Sequence, residues 1–389
     1  MASDHDRIKT THIGSLPRPA ELLEYVASST TGEQLSGENI EDLIASATER
    51  VVRKQAEIGI DIANNGEQSR SGFHLHLTDR LEGFGAESPA PFWADINDYP
   101  VFAEEEFSYP KADPETGAPL RPSVVSEISY AGEAAAKQEI AQFEQAVEAV
   151  DHDFDDLFMT SPSPGIIAGS LPNEYYESYE SYVFALSEAI ATEWEIIADA
   201  GLLLQIDSPE LLHTHHRTFP PGQATDLDDF DSYSAIVSMY VDAINEALAG
   251  VPKDRVRLHT CWGNYDGPHH RDVELERVLE ELLELDVGGL SIELSGPRHE
   301  HEFQAFAQVD IPADIAIIPG VIDVKSNVID HPETVAMRLE RVADVVGPEN
   351  EIIAAPDCGF GTLSWSAAAD DIVWAKLESL VEGAVLASR

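Results

Sequence analysis

Short apolar runs rich in β-branched residues recur along the chain, and each one ends in a polar or glycine-containing turn. Stretches with the 3.6-residue periodicity of helices follow most of these runs, such as residues 37–57 and 175–200. The runs that we predict to be barrel strands cover residues 8–13, 58–63, 157–160, 202–207, 256–261, 290–293, 315–323 and 351–357. Eight strands alternating with helices predict an α/β fold of the (β/α)8 TIM-barrel type, whose functional residues lie at the C-terminal strand ends.

One part of the chain departs from this alternation. Residues 86–122 are rich in Pro, Asp and Glu and show no clear period, whereas residues 132–150 have a helical pattern. The sequence therefore predicts an irregular insertion around residues 86–150, with a strand near residues 123–130. A doubly wound open sheet is the alternative fold, but no Gly-x-Gly-x-x-Gly follows the first strand. We predict that residues 1–389 form a single domain.

Side chains that bind metals fall at the predicted strand ends. His259 and Cys261 are two residues apart on a strand, so they point to the same face. Glu293 ends the sixth strand, and Cys358, the only other cysteine, follows the eighth. Such a set predicts a four-coordinate zinc site, and a zinc ion at a barrel mouth suggests alkyl transfer to a thiol, with hydrolysis as the other option. The alternative is that the cysteines are small buried core residues.

The charge of the chain limits its partners. It has 72 acidic and 23 basic residues among 389, which gives a formal net charge of −49. A surface this acidic repels nucleic acid and anionic membranes. With regular apolar strands throughout, the composition indicates a folded, halophilic protein rather than a disordered one. The N-terminus lacks an apolar signal segment and no run is long enough to span a membrane, so we predict a cytoplasmic protein.

Seven short motifs, taken together and in order, resemble the C-terminal catalytic barrel of cobalamin-independent methionine synthase, and in particular the short single-barrel members of that family. They cover most of the chain. The motifs are Ile13-Gly14-Ser15, Gly66-Glu67, Gln205-Ile206-Asp207, His259-x-Cys261, Ser291-Ile292-Glu293, Pro319-Gly320-Val321-Ile322-Asp323 and Pro356-Asp357-Cys358-Gly359.

The resemblance implies a methyltransferase that converts homocysteine to methionine with a methyl donor, either a folate or a methyl-corrinoid protein. By the resemblance, the zinc ligands are His259, Cys261, Glu293 and Cys358. The residues that match the site for the amino-acid part of homocysteine are Ile13, Gly14, Ser15, Glu67 and Asp207. Asp323 matches part of a proton-transfer pair.

Some positions differ from the family pattern. His213 stands where the methionine synthases carry a second acidic residue for the substrate amine. Lys325 stands where they have the histidine that works with the aspartate, and we predict that Lys325 is catalytic together with Asp323. Arg70, like Arg18, is a scarce basic residue that either holds a substrate carboxylate or sulfonate or forms a salt bridge.

Two other functions stay open at this point. A relative of the epoxyalkane transferases would use coenzyme M, an anionic thiol, and an arginine facing the pocket would favour it. A non-catalytic barrel with a structural zinc would have no cavity beside the metal. The histidine pairs His269/His270 and His299/His301 predict solvated loop side chains, with a second metal site as the alternative.

Overall fold

The computed structural model describes residues 7–24, 40–90, 92–106, 119–213, 217–218, 230–361 and 368–388. Its strands are β1 (Lys9–Thr10), β2 (Ile62–Ala63), β3 (Leu81–Pro89), β4 (Phe92–Trp93), β5 (Leu120–Tyr130), β6 (Asp156–Pro162), β7 (Leu203–Asp207), β8 (Arg217–Thr218), β9 (Val256–Thr260), β10 (Gly289–Glu293), β11 (Ala316–Gly320) and β12 (Ile353–Ala354). Its α-helices are α1 (Ile40–Ile58), α2 (Ala94–Asn97), α3 (Pro100–Glu106), α4 (Glu133–Glu148), α5 (Pro164–Ser170), α6 (Tyr179–Asp199), α7 (Glu210–His213), α8 (Phe230–Ala247), α9 (Leu279–Leu282), α10 (Pro332–Val346) and α11 (Asp370–Ala387).

Eight parallel strands follow one another around a ring in chain order. Six of them form one sheet in the order β11-β10-β9-β7-β6-β2, and β1 pairs with β12. Parallel bridges from Ile317 to Ile352 and from Gly320 to Ala355 connect β11 to the β12 segment. The Asp61 amide donates to the Thr10 carbonyl at 3.2 Å and connects β1 to β2. This arrangement confirms the predicted (β/α)8 barrel.

The insertion is more regular than the sequence indicates. Strands β3 and β5 pair antiparallel, with Leu81 opposite Tyr130 and Pro89 opposite Leu120. Most β3 side chains are exposed or half-buried, so this strand lacks the apolar alternation that marks a half-buried strand. Helix α4 packs against α1 and α6 and so belongs to the outer ring of helices. The excursion from the barrel therefore ends near Tyr130, earlier than the predicted residue 150.

Helix α6 shows how the outer ring is attached to the barrel. Ser178 caps its first turn, since its hydroxyl accepts from the Ser181 amide at 3.0 Å. The fully buried side chains recur every three or four residues along one face, which packs in the main apolar core. They include Tyr182, Leu186, Ile190 and Trp194. Among the helices of the described residues, none is long and apolar enough to cross a membrane.

Candidate functional site

The four predicted metal ligands lie at the ends of β9, β10 and β12, and β11 separates β10 from β12 in the ring. His259 is in β9, Cys261 follows that strand, and Glu293 is the last residue of β10. Ser291 of β10 pairs with His259 of β9. Glu293 follows Ser291 by two residues, as Cys261 follows His259, so Glu293 lies beside Cys261. The ligand atoms of His259, Cys261 and Cys358 all lie within 4.8 Å of one another, and all four side chains are buried.

This group of side chains fits a zinc ion. Both ring nitrogens of His259 and Oε2 of Glu293 are buried without a hydrogen-bond partner among the described residues, an arrangement that is costly unless a cation is bound. Hydrogen bonding to the Cys358 thiol, together with burial, raises the pKa of Cys261, so a nearby cation would favour its thiolate form. Two sulfur ligands and an imidazole favour zinc over magnesium or calcium, which prefer oxygen ligands.

Glu293 also has a protein partner. Its Oε1 accepts from the ammonium of Lys325 at 2.8 Å, while Glu293 is 1% exposed. Burial alone would lower the pKa of Lys325, but the nearby Glu293 carboxylate raises it above the usual value, so the lysine is charged. Burial opposes ionisation of Glu293, but the Lys325 ammonium outweighs that effect and lowers the pKa of Glu293. The Asp323 carboxylate accepts hydrogen bonds from the backbone amide of Lys325 at 2.9 Å and from the Ser326 hydroxyl at 2.5 Å.

Two buried carboxylates form the second part of the site. Glu67 has a positive φ of 54°, its Oε1 accepts from the Thr160 hydroxyl at 2.8 Å, and its Oε2 has no hydrogen-bond partner among the described residues. Oδ1 of Asp207 accepts from the Gln205 amide at 2.8 Å. Burial, partly offset by His259 and reinforced by the negative charge of Glu67, raises the pKa of Asp207 to about 7. The two carboxylates therefore lie close enough to repel one another.

The segment Ile13–Ser15 connects these carboxylates to the cysteine loop. The Ile13 carbonyl accepts from Gln205 Nε2 at 2.8 Å, which places it beside Asp207. Gly14 has φ of +129°, and a β-carbon there would lie 2.6 Å from Glu67 Oε1, so only glycine fits. The Ser15 hydroxyl accepts from the Gly361 amide at 3.1 Å. The structure thus brings the predicted substrate segment between the carboxylates and the loop after Cys358.

The two arginines near the site are already engaged. Arg70 donates to Glu139 at 2.9 Å and to the Thr160 hydroxyl at 2.7 Å, and its side chain is 1% exposed. Arg18 donates to the Glu67 carbonyl at 2.7 Å and the Gly361 carbonyl at 3.1 Å. Both guanidinium groups therefore hold the protein around Glu67. The predicted contact between Arg70 and a substrate anion gains no support from this placement, and the salt-bridge alternative describes the contacts that Arg70 makes.

A second cluster of polar side chains lies behind the metal ligands. Oδ2 of Asp272 is 2.9 Å from His269 Nδ1 and 2.7 Å from His299 Nε2, and all three side chains are buried. The His299 ring stacks on the ring of Trp262, with centroids 3.6 Å apart. Trp262 directly follows Cys261 in the sequence. These separations are hydrogen-bond lengths, so the cluster forms a network that supports Trp262. His269 and His299 are thus buried rather than solvated, whereas His301 is exposed.

Sequence reasoning missed Thr160, whose hydroxyl donates to Glu67. It quoted Gln205 in a motif but assigned it no role, whereas in the structure Gln205 donates to Asp207 and to the Ile13 carbonyl. Gln205 and Asp207 are two residues apart on β7, so the spacing offered a signal that they share a face. Glu139 lies on the helix after the insertion, and nothing local in the sequence connects it to Arg70. His213, in α7, is buried.

The chain is similar to known proteins over most of its length. The family model "Cobalamin-independent synthase, Catalytic domain" matches residues 8–93 and 121–378. The methionine synthase of Saccharolobus solfataricus is 27% identical over 379 residues, which cover 97% of this chain and 93% of that protein. The methionine synthase of Sulfurisphaera tokodaii is also 27% identical, over 97% of this chain and 91% of that protein.

Solved structures show the same fold. The B12-independent methionine synthase from Shewanella sp. W3-18-1, in complex with selenomethionine, superposes with a TM-score of 0.69 and 19% identity, covering 98% of this chain and 97% of that one. A putative vitamin-B12 independent methionine synthase from Listeria monocytogenes gives a TM-score of 0.62 at 19% identity, covering 97% and 98% of the two chains.

Proposed function

The chain belongs to the family of cobalamin-independent synthase catalytic domains, and on this premise we propose that it transfers a methyl group to the thiol of homocysteine and releases methionine. It is a methyltransferase of the cobalamin-independent methionine synthase type. We propose that His259, Cys261, Glu293 and Cys358 hold a zinc ion. When bound, zinc lowers the pKa of a thiol so that the nucleophilic thiolate forms near neutral pH.

The observation that carries the choice of substrate is a pair of buried carboxylates that form no salt bridge with the other described residues. Glu67 and Asp207 are buried close together, Oε2 of Glu67 has no partner among the described residues, and both neighbouring arginines bind other groups. An ammonium group would neutralise this pair through charge-assisted hydrogen bonds. An anionic thiol such as coenzyme M would be repelled by it. The pair therefore favours an amino acid and argues against the epoxyalkane-transferase alternative.

The protein's own part in the reaction is to place and shield the substrate. Glu67 and Asp207 would bind the amine of homocysteine, and the absence of a side chain at Gly14 lets the main chain lie close to Glu67. The segment Ile13–Ser15 would lie along the amino-acid part, since it runs from Asp207 to the Cys358 loop. Holding the sulfur in line with the methyl group in this way supplies part of the rate enhancement.

We propose 5-methyltetrahydrofolate as the methyl donor, because the matching family is described as cobalamin-independent. That description sets aside the methyl-corrinoid protein that the sequence alone left open. A sulfur–carbon bond forms, the bond from carbon to the folate nitrogen breaks, and the nitrogen takes a proton. Asp323 is our candidate for the group that holds this proton. A catalytic role for Lys325 stays a prediction, since its ammonium contacts Glu293.

The test is a set of assays and metal measurements in molar salt. Zinc content is measured, followed by X-ray absorption at the metal with and without homocysteine or coenzyme M. We expect one zinc per chain, a sulfur ligand gained with homocysteine only, and methionine formed from 5-methyltetrahydrofolate. If the zinc ligands change with coenzyme M alone, the result would support the epoxyalkane-transferase alternative. If no thiol changes the zinc ligands, the result would support the non-catalytic barrel with a structural zinc.

Methionine binding to the zinc-free protein is expected to strengthen as pH rises. The pKa of Asp207 is raised to about 7, so the neutral acid dominates below that pH and cannot form a charge-assisted bond to the amine. Between about pH 6 and about pH 8 the ionised fraction, and with it the affinity, should rise roughly tenfold. Calorimetry at constant ionic strength measures the change. Asp207→Asn should bind weakly with little pH dependence, and an equally flat profile for the unchanged protein would contradict the assignment.

Three further properties are part of the proposal. We propose a single domain over residues 1–389 and a halophilic protein, since a net charge of −49 is tolerable where molar salt reduces the screening length to about 3 Å. We also propose a cytoplasmic location, because two reduced cysteines serving as metal ligands suit a reducing compartment. The folding of this chain should accordingly require more salt than that of an ordinary protein.

A further inference from the structure

Lys325 stands where the resembling family carries a histidine. Its ammonium is 2.8 Å from Oε1 of Glu293, and the two residues belong to neighbouring parts of the ring, Glu293 at the end of β10 and Lys325 after β11. Glu293 is 1% exposed and the Lys325 side chain is 16% exposed, so the pair is shielded from water. Such a pair is far stronger than one on the surface, and removing one partner strands the other.

The two oxygens of Glu293 have different surroundings. Oε1 accepts from Lys325, whereas Oε2 is buried with no hydrogen-bond partner among the described residues. One oxygen is therefore already occupied by a cationic protein group, and the other is the one left to offer to a metal ion.

The formal charges of the site point the same way. A zinc ion with two thiolates, a carboxylate and a neutral imidazole carries one net negative charge. Lys325 neutralises that charge in a region where an unpaired buried charge is costly. If a thiolate takes the place of the carboxylate, the ligand set keeps the same charge, and Glu293 still has Lys325 as its partner.

We infer that Lys325 is a positioning residue that holds one oxygen of Glu293, leaves the other for the metal, and keeps the carboxylate paired when a thiolate takes its place. This inference rests on the proposed function, because it assumes zinc at His259, Cys261, Glu293 and Cys358. It assigns to Lys325 a role that differs from direct proton transfer to the donor.

Losing Lys325 should make Glu293 harder for homocysteine to displace. In Lys325→Met, a carboxylate that leaves the metal has no counter-ion and remains as an unpaired buried charge. We expect the homocysteine concentration that gives half of the sulfur gain in the X-ray absorption spectrum, in molar salt, to rise about tenfold or more. The zinc dissociation constant, measured by competition with a chromophoric chelator, is determined beside it so that loss of metal is not mistaken for loss of exchange. Lys325→Arg, which keeps the charge, should remain close to the unchanged protein.

A double-mutant cycle separates this role from a general charge effect. In a Glu293→Gln background, the Lys325→Met change should alter the homocysteine concentration needed for the sulfur gain much less than in the unchanged protein, because the carboxylate it acts through is absent. An equal change in both backgrounds, or no change in either, would overturn the inference. If Lys325→Met does not fold, Lys325→Gln gives the same comparison with a neutral hydrogen-bond donor.

Failure of the proposed function gives a different result. If the unchanged protein binds no zinc, or if Cys261→Ser binds zinc as tightly as the unchanged protein, the zinc site itself is wrong. If zinc binding depends on Cys261 but the homocysteine requirement is the same in Lys325→Met as in the unchanged protein, only the role of Lys325 is wrong.

Discussion

Cys261→Ser is expected to release the zinc and with it the methyl-transfer activity. Loss of groups behind the metal ligands typically weakens metal binding by about 10-fold to 100-fold, so loss of a thiolate ligand should weaken it by more than about 100-fold. The serine hydroxyl does not ionise near neutral pH and cannot replace the sulfur. Zinc content after gel filtration should fall from one per chain to near zero, and methionine formation should fall below detection.

Cys358→Ser is the matched test of the same site from the other side of the ring. Its ligand atom lies within 4.8 Å of those of His259 and Cys261, so it should give the same double loss. Both variants should keep the circular dichroism of the unchanged protein in molar salt, since each cysteine adds little apolar burial. A variant that loses zinc but still methylates homocysteine at the normal rate would refute the proposed chemistry.

Glu139→Ala is expected to cause the largest loss of stability. The Glu139 carboxylate is 5% exposed and accepts from Arg70 at 2.9 Å and from Arg80 at 2.6 Å. It also accepts from the Asn65 amide at 3.0 Å. Removing it leaves two guanidinium groups buried with less compensation, which typically costs about 3–5 kcal/mol. Denaturant unfolding in molar salt measures the loss of unfolding free energy.

The control lies on the same helix, α4. Glu133 forms an exposed pair with Lys137 at 3.1 Å, and Glu133→Ala should change the unfolding free energy by at most about 0.5 kcal/mol. Although burial opposes it, attraction to Arg70 and Arg80 lowers the pKa of Glu139. The stability from the ionised form is therefore present above the ordinary glutamate pKa and is lost as pH falls toward the lowered one. Similar losses of unfolding free energy in both variants would show that the buried ion pairs of Glu139 stabilise the protein no more than the exposed pair of Glu133.

Glu139→Ala should also affect the site. Arg70 connects Glu139 to the Thr160 hydroxyl, which in turn donates to Glu67. With Arg70 released, Glu67 should lose its fixed position, so the KM for homocysteine should rise more than kcat falls. The KM and kcat, measured where the variant is still folded, distinguish this effect from general unfolding.

The sequence determined the fold and most of the site because both depend on patterns along single strands. Apolar runs that end in turns located the eight barrel strands, and alternation along a strand placed His259 and Cys261 on one face. The predicted ends of β7, β9 and β10 brought Asp207, His259 and Glu293 to the same rim. The family resemblance then supplied the roles. For the insertion, the exposed strand β3 offered no apolar period, so its pairing with β5 was not visible.

Only the tertiary structure decided how the charges are paired. Arg70 and Lys325 were both predicted to act on substrates, but Arg70 meets a glutamate 69 positions away and Lys325 meets one 32 positions away. A charged side chain is satisfied by whichever opposite charge the fold brings near, and a pattern along the chain does not contain that information. The same holds for His269 and His299, which share Asp272 in the interior although each lies in a polar stretch of sequence. The sequence by itself therefore determined which residues reach the rim of the barrel, and the three-dimensional packing decided which of them remain available to a metal ion and a substrate.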